Sequence, residues 1–403
     1  MVVAATRPRY CGALLVAALW LTVGLVCPDG RLAAQKAKHT PPPPPFAALF
    51  PLEEAWMITL PAPPAAPAAY DGTHLFVPLS SGQLVALDWQ HGDTLWSVAL
   101  NASSAPIVAQ GTIYVAGDGQ LHALDAATGA TRWSAQAPAP VSLVALADAR
   151  VVGVGATIAA AFDATSGAPS WTRPLDDAGE PVGAAATADA LFLTSAKGAT
   201  RRLALADGQI AWTHMVEGRP SPPVVVKDSV YVGDTSNRFH ALDAKNGKAR
   251  WSWRTGGDVI GSAAGASAER KAVFYASLDA VVRAVNPGNG HQQWKRDGGT
   301  RAVAPPIALD GSVVVPGLTP MLSGFAPLTG IPQGTFDLPG EPGELSGTPI
   351  VSSTLVPRAV AVAVVLKDGR AYGLRALALM FNESAPQPLT ALPGKPLTRE
   401  RLP

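Results

Sequence analysis

An all-β fold of repeated four-stranded units is predicted by three observations. An eleven-residue signature, Ala-Leu-Asp-x-x-x-Gly-x-x-x-Trp, recurs along the chain. Its glycines, from Gly92 to Gly330, are separated by 37, 38, 41, 39, 43 and 40 residues. Each copy lies among short apolar runs punctuated by Gly, Ser, Asn and Asp, the residues of tight turns. A period near forty residues marks a repeat array, and a ring of four-stranded blades, a β-propeller, is among its commonest forms. The composition agrees: 39 Gly, 38 Pro and only 15% charged residues suit many short strands joined by tight turns.

The signature is intact at Ala86-Leu87-Asp88…Gly92…Trp96, Ala123-Leu124-Asp125…Gly129…Trp133 and Ala241-Leu242-Asp243…Gly247…Trp251. Variants follow at Ala161-Phe162-Asp163…Gly167…Trp171, Arg202-Leu203-Ala204…Gly208…Trp212 and Ala284-Val285-Asn286…Gly290…Trp294. A worn copy, Gly324-Phe325-Ala326…Gly330, has Gly334 in place of Trp and Phe336 two residues on. In the copies that carry it, Asp or Asn can hydrogen-bond its own turn, and in every copy Gly can supply a positive φ, so the pair closes a hairpin. Trp then occupies a fixed place on the outer strand, with an apolar face to bury and one N–H to satisfy. Trp56, Trp96, Trp133, Trp171, Trp212, Trp251 and Trp294 form this one series and are read as blade-docking residues. The small Ala before each Asp is expected to make room for the Trp of an adjacent blade.

For the fifth copy the four strands are expected near Pro222–Val226, Ser229–Gly233, Asn237–Leu242 and Lys248–Trp253. The last repeat reads as a third strand, Gly369 to Leu374, with no outer strand after it. The missing strand stands at the start of the domain, where Trp56 precedes Trp96 by one repeat. Leu52 to Ile58 should therefore complete the last blade and close the ring, leaving no open sheet edge there. Counting Trp56 through Trp294 and Phe336 predicts eight blades; collapse of the worn copy would leave seven.

The signature resembles that of the pyrroloquinoline quinone (PQQ)-like propeller repeat over residues from about 51 to 376. Ser, Thr or Lys follows each repeat Trp from Trp96 to Trp294, so the Trp-Asp mark of the WD40 propellers is missing there. The resemblance to the quinoprotein alcohol and glucose dehydrogenases of this family implies PQQ over a calcium ion, held by Glu and Asn with an Asp base, often beside a vicinal disulfide. This chain departs from them in lacking a mature cysteine pair, long insertions between blades, and carboxylates on the inner strands, such as Ala105-Pro106-Ile107-Val108. In size and economy it is more similar to the compact propeller lipoprotein of the outer-membrane β-barrel assembly machine, a binding scaffold. The expectation is no PQQ, no other cofactor and no metal.

Arg7 and Arg9 precede an apolar stretch, Gly12 to Cys27, and Leu32-Ala33-Ala34 follows. This is the pattern of a secretory signal peptide over residues 1–34, cleaved after Ala34. Retention as an anchor or lipidation at Cys27 are the alternatives, with Val26 a poor neighbour for the latter. The only cysteines, Cys11 and Cys27, lie in this segment, so the mature chain should have no disulfide. Residues 35–50 form a linker whose Pro41 to Pro45 run is a stiff spacer. Residues 51–381 are the propeller, and 382–403 read as a disordered, Pro-rich tail.

The histidines make no recognised metal-ligand spacing, and nucleophile-elbow, phosphate-loop and dinucleotide patterns are absent. His122 and His240 occupy one repeat position, which argues for packing. A formal net charge of +1 points away from nucleic acid. No catalytic residue is proposed from the sequence. Clustered charge falls in the loops that join one blade to the next: Asp176, Asp177, Glu180; Glu217, Arg219; Arg254, Asp258; Asp297, Arg301; Glu341, Glu344. Arg219, Asp258, Arg301 and Glu344, nearest the inner strands, are the candidate binding rim. These features predict an exported, periplasmic or secreted scaffold, a monomer that binds a protein partner of the cell envelope and touches membrane only through an N-terminal anchor. Outer-membrane protein assembly is the context the resemblance implies. A PQQ-dependent oxidoreductase or a small-ligand sensor is the alternative.

Overall fold

The computed structural model describes residues 48–176, 179–264, 272–318, 321–339 and 344–377. The proposed signal peptide, residues 35–47 of the linker and the tail lie outside the described residues, as do Asp177 and Glu341. The described residues hold thirty-two strands and no helix, arranged as eight four-stranded antiparallel sheets. Blade 1 comprises Ala69–Tyr70, His74–Leu79, Gln83–Asp88 and Thr94–Ala99. Blades 2 to 7 follow at 107–136, 143–174, 181–215, 224–254, 259–297 and 307–337. Blade 8 takes Ile350–Val351, Val360–Val365 and Arg370–Ala376 from the end of the ring and its outer strand, Leu52–Thr59, from the beginning.

The closing strand pairs as the spacing requires. Leu52 stands opposite Ala376 and Thr59 opposite Arg370, with a bulge at Ala55. Blade 8 is then locked to blade 1. The indole N–H of Trp89 donates to the Val360 carbonyl at 2.8 Å, and the Val360 N–H donates to Gln90 Oε1 at 2.9 Å. Within blade 5 the strands are Val224–Val226, Ser229–Asp234, Arg238–Asp243 and Ala249–Arg254.

The signature residues do their work in the third hairpin of each blade. Asp125 Oδ1 accepts the N–H groups of Ala127 and Thr128, and the Gly129 N–H donates to the Asp125 carbonyl. Asp88, Asp163, Asp243 and Asn286 repeat the side-chain pattern. The hairpin glycine has a second role that its φ of about +70° conceals. The Trp of the preceding blade lies flat on it: a β-carbon at Gly208 would stand 2.5 Å from Trp171 Cε3. The same Trp donates to the carbonyl of the residue that directly follows the Asp position in the next blade. Trp133 reaches Ala164 at 3.0 Å, Trp171 Leu205 at 2.8 Å, Trp212 Ala244 at 3.0 Å and Trp294 Pro327 at 2.8 Å. Each N–H left buried without that acceptor would cost about 1–3 kcal/mol.

This geometry corrects the role expected of the small Ala. Ala86, Ala123, Ala161, Ala241 and Ala284 stand directly across the sheet from Trp96, Trp133, Trp171, Trp251 and Trp294 of their own blade. Cross-strand partners share a face, so the small side chain accommodates its own blade's indole while the neighbour's indole lands on the glycine. In blade 8 the position is Gly373, where a β-carbon would meet Trp56 at 2.2 Å. The core accordingly lies between blades: Trp56, Leu75, Val77, Val85, Val360 and Ala371 form one cluster bridging blades 8 and 1.

Blade 7 explains its missing Trp. In blade 8 the third and fourth strands come from opposite ends of the ring, so no covalent hairpin offers a glycine and a free carbonyl. A Trp in blade 7 would have a stranded N–H. Phe50 fills the place instead. Leu49 and Phe50, counted with the linker on sequence grounds, are buried in the ring. They pack in the cluster that joins blades 7 and 8.

Candidate binding face

A four-stranded meander puts its first and third hairpins at one end and its second hairpin, with the loop to the next blade, at the other. The ring therefore has two unlike faces. The lower face carries the Asp–Gly hairpins and both ends of the described chain, where the Leu377 N–H donates to the Pro51 carbonyl at 2.8 Å. The upper face carries the second hairpins and the inter-blade loops.

Arg219, Asp258, Arg301 and Glu344 all lie on the upper face, at one repeat position in four successive blades. In each, the backbone carbonyl accepts an N–H from the second hairpin of the same blade: Thr235 at 3.1 Å, Leu278 at 2.9 Å, Leu318 at 2.8 Å and Lys367 at 2.7 Å. Glu180 extends the series into blade 4, its carbonyl accepting from Ala196 at 2.8 Å. The shared backbone bond fixes where each side chain leaves the ring, and no hydrogen bond or ion pair links any two of the four. Arg219, Arg301 and Glu344 are exposed and Asp258 is half-buried. Glu344 pairs with Lys367 at 2.6 Å. That hydrogen bond, reinforced by the lysine charge, holds its carboxyl below the ordinary value. Among the described residues Arg219 and Arg301 have no side-chain partner and keep all their donors for solvent or a ligand.

Beneath this rim lie polar clusters at the third-strand position that His122 and His240 share, where side chains pair with polar groups of the second hairpin as well as pack. His240 Nε2 lies 2.8 Å from Oδ2 of the fully buried Asp234, whose Oδ1 also accepts from Ser236 and Arg238. In blade 6 the equivalent Arg283 donates to Ser277 Oγ at 2.7 Å and to Asp279 at 3.1 Å. Burial works to raise the Asp279 carboxyl, but the hydrogen bonds from Arg283 and Ser277 outweigh it and hold it low. These groups satisfy one another and brace the hairpins that carry the rim.

A second set of inter-blade donors escaped the sequence reading. Two residues after the Trp, Arg173 donates to the Gly208 carbonyl at 3.1 Å, Trp253 to Gly290 at 2.6 Å and Arg296 to Gly330 at 3.0 Å. His214 is bonded to the Gly247 backbone in the same way. Unlike residue types share this position, so no repeat letter betrays them.

The inner strands around the axis, among them Ile107–Ala109, Leu143–Ala147, Pro181–Ala186 and Val224–Val226, present no carboxylate or amide oxygen from a side chain. Among the described residues no three His, Asp or Glu side chains stand close enough to hold a metal ion. The donor set that PQQ with calcium requires is not assembled by these residues.

The family profile described as outer membrane protein assembly factor BamB matches residues 53–178, 142–263 and 201–378, which together span the ring. The chain is 31% identical over 133 residues to the outer membrane protein assembly factor BamB of Burkholderia pseudomallei, covering 32% of this chain and 34% of that protein. It is 29% identical over 192 residues to the serine/threonine-protein kinase AfsK of Streptomyces griseus, covering 43% of this chain and 24% of that one. The chain thus spans between a quarter and about a third of the length of these curated relatives. The crystal structure of BamB from Moraxella catarrhalis superposes with a TM-score of 0.64 at 17% identity, over 81% of this chain and 98% of that one, a likeness of fold. With its repeats, its eight blades and a profile match along the whole ring, the chain belongs to the PQQ-like propeller family described as outer membrane protein assembly factor BamB.

Proposed function

We propose that this propeller is a non-catalytic scaffold of the cell envelope, exported by its N-terminal segment, that holds a protein partner against its upper face. The observation that carries the reading is the register of Arg219, Asp258, Arg301 and Glu344: one rigid position in four successive blades, with both arginines unpaired. A rigid array of separated charges suits recognition, because the loops that carry them need no reordering when a partner arrives and complementary charge speeds encounter. The described chain begins and ends on the opposite face, where the Leu377 N–H donates to the Pro51 carbonyl. A role in outer-membrane protein assembly is supported by the family to which the chain belongs. The monomeric ring works without PQQ on this reading; the inner strands supply no oxygen ligands for calcium.

The test is capture of envelope proteins by the tagged, mature chain, followed by cross-linking from single cysteines placed beside Arg219 and Arg301. A specific cross-linked partner whose yield falls when both arginines become Glu supports the proposal. No cross-link from either position, or PQQ- and calcium-dependent dye reduction with an alcohol, would overturn it.

A further inference from the structure

The upper face is charged over blades 4 to 8 and nearly uncharged over blades 2 and 3, where it opens into a cleft of about 590 Å³. The cause lies in one hairpin. The second hairpin of blade 2 has two loop residues, Asp118 and Gly119, between strands ending at Gly117 and beginning at Gln120. In every other blade that loop has three or four residues. Asp118 and Gly119 both take positive φ, 51° and 77°, as a two-residue turn requires. The shortened hairpin leaves space between the loops that enter blades 2 and 3.

The cleft has a floor of small apolar groups, Ala102, Ala116, Ala137 and Val141, and a rim of amides from Asn101, Gln120 and Gln136. The side chains of Asn101 and Gln120 make no hydrogen bond, and Gln136 uses only its Nε2, toward the Gly119 and Ala137 carbonyls. Asp118 accepts the Asn101 backbone N–H at 3.2 Å through Oδ2, leaving Oδ1 unused. A Cβ at Gly117 would stand 2.8 Å from the Asn101 carbonyl, so the glycine lets the loop close down and sets the wall.

This chemistry selects among ligands. The lining has no cation for a phosphate and no aromatic ring on which a sugar could stack. Its single carboxylate is short of a metal's oxygen set. Amides that both donate and accept fit the alternating N–H and C=O groups of an extended backbone. The shallow apolar floor admits only small side chains, and Asp118 complements one positive charge. We propose that the cleft between blades 2 and 3 binds an extended segment of a protein partner that places a lysine or arginine on Asp118 among small residues. This rests on the scaffold reading and adds a second point of attachment on the same face.

The experiment titrates the full chain with acetyl-Ala-Lys-Ala-Ala-amide and with its Glu counterpart, following the methyl signals of Ala102, Ala116 and Val141. The lysine peptide should move all three, with a Kd of about 1 mM or tighter, and the glutamate peptide should bind at least about tenfold more weakly. Ala139→Trp, which fills the cleft from a surface loop, should abolish the shifts. Asp118→Asn, which tolerates the same turn, should remove the preference for lysine. Binding should be unchanged in the variant carrying both Arg219→Glu and Arg301→Glu. Absence of shifts with either peptide, or equal shifts in Ala139→Trp, overturns the proposal. A cleft that fails while the rim variant loses its partner leaves the scaffold reading intact. A cleft that binds while the rim variant keeps its partner removes the rim instead.

Discussion

Phe50 lies on Gly324 so closely that a β-carbon there would stand 2.2 Å from Phe50 Cδ2, and it occupies the place that an indole fills in the other blades. The residue that completes blade 7 thus comes from the far end of the ring, two residues before the strand that completes blade 8. The two repairs form one structure, since the noncovalent closure of blade 8 removes the hairpin on which a blade 7 Trp would dock.

Phe50→Ala should therefore cost about 3–5 kcal/mol, as large buried truncations do. Deleting residues 35–60 should cost several kcal/mol more, by removing the Trp56 strand as well. Urea denaturation of the two proteins measures both. An unchanged midpoint for the deletion would mean that the ring does not depend on its closing strand.

The indole clamp separates into two measurable parts. Trp171→Phe keeps most of the packing and loses the bond to Leu205, so it should cost about 1 kcal/mol. Gly208→Ala should cost more, because its φ of +71° strains any side chain and its β-carbon would run into the Trp171 ring. A loss in Gly208→Ala no larger than that in Trp171→Phe would mean that the indole does not bear closely on the glycine.

His214 makes stability pH-dependent. Burial, then the nearby His240, pulls its pKa below the ordinary histidine value of 6.5, against the hydrogen bond to Gly247. The unfolded chain then binds more protons than the folded one just below pH 6.5, so stability rises with pH across that window. The contribution is complete above about pH 6.5 and is lost as pH falls through the lowered value. His214→Gln should flatten this part of a curve of melting temperature against pH, and an unaltered slope would assign it to another group.

Reversing Arg219 and Arg301 together to Glu should abolish partner capture while changing stability by less than about 0.5 kcal/mol, since both are exposed and unpaired. Capture by the unaltered chain should weaken as salt rises. Full capture by the variant at low salt would move the partner site off the rim.

Much of this architecture is written along the chain. A period near forty, repeated turn chemistry and the offset of Trp56 determined the eight blades and their closure, because each blade is a local unit whose hairpins are set by neighbouring residues. The candidate rim was legible for the same reason: loops between blades must lie on one face, and charge within them must reach solvent. What needs tertiary structure is every contact made across blades. The partner of each Trp lies some thirty residues away on the next hairpin, and only its position shows why that hairpin ends in glycine, while Ala serves the indole of its own blade. Phe50 carries no repeat signature, and its role exists only because two ends of the sequence meet. The cleft at Asp118 is likewise silent in the sequence: a loop one residue shorter changes no motif, but in a closed ring its neighbours cannot move in to fill the space.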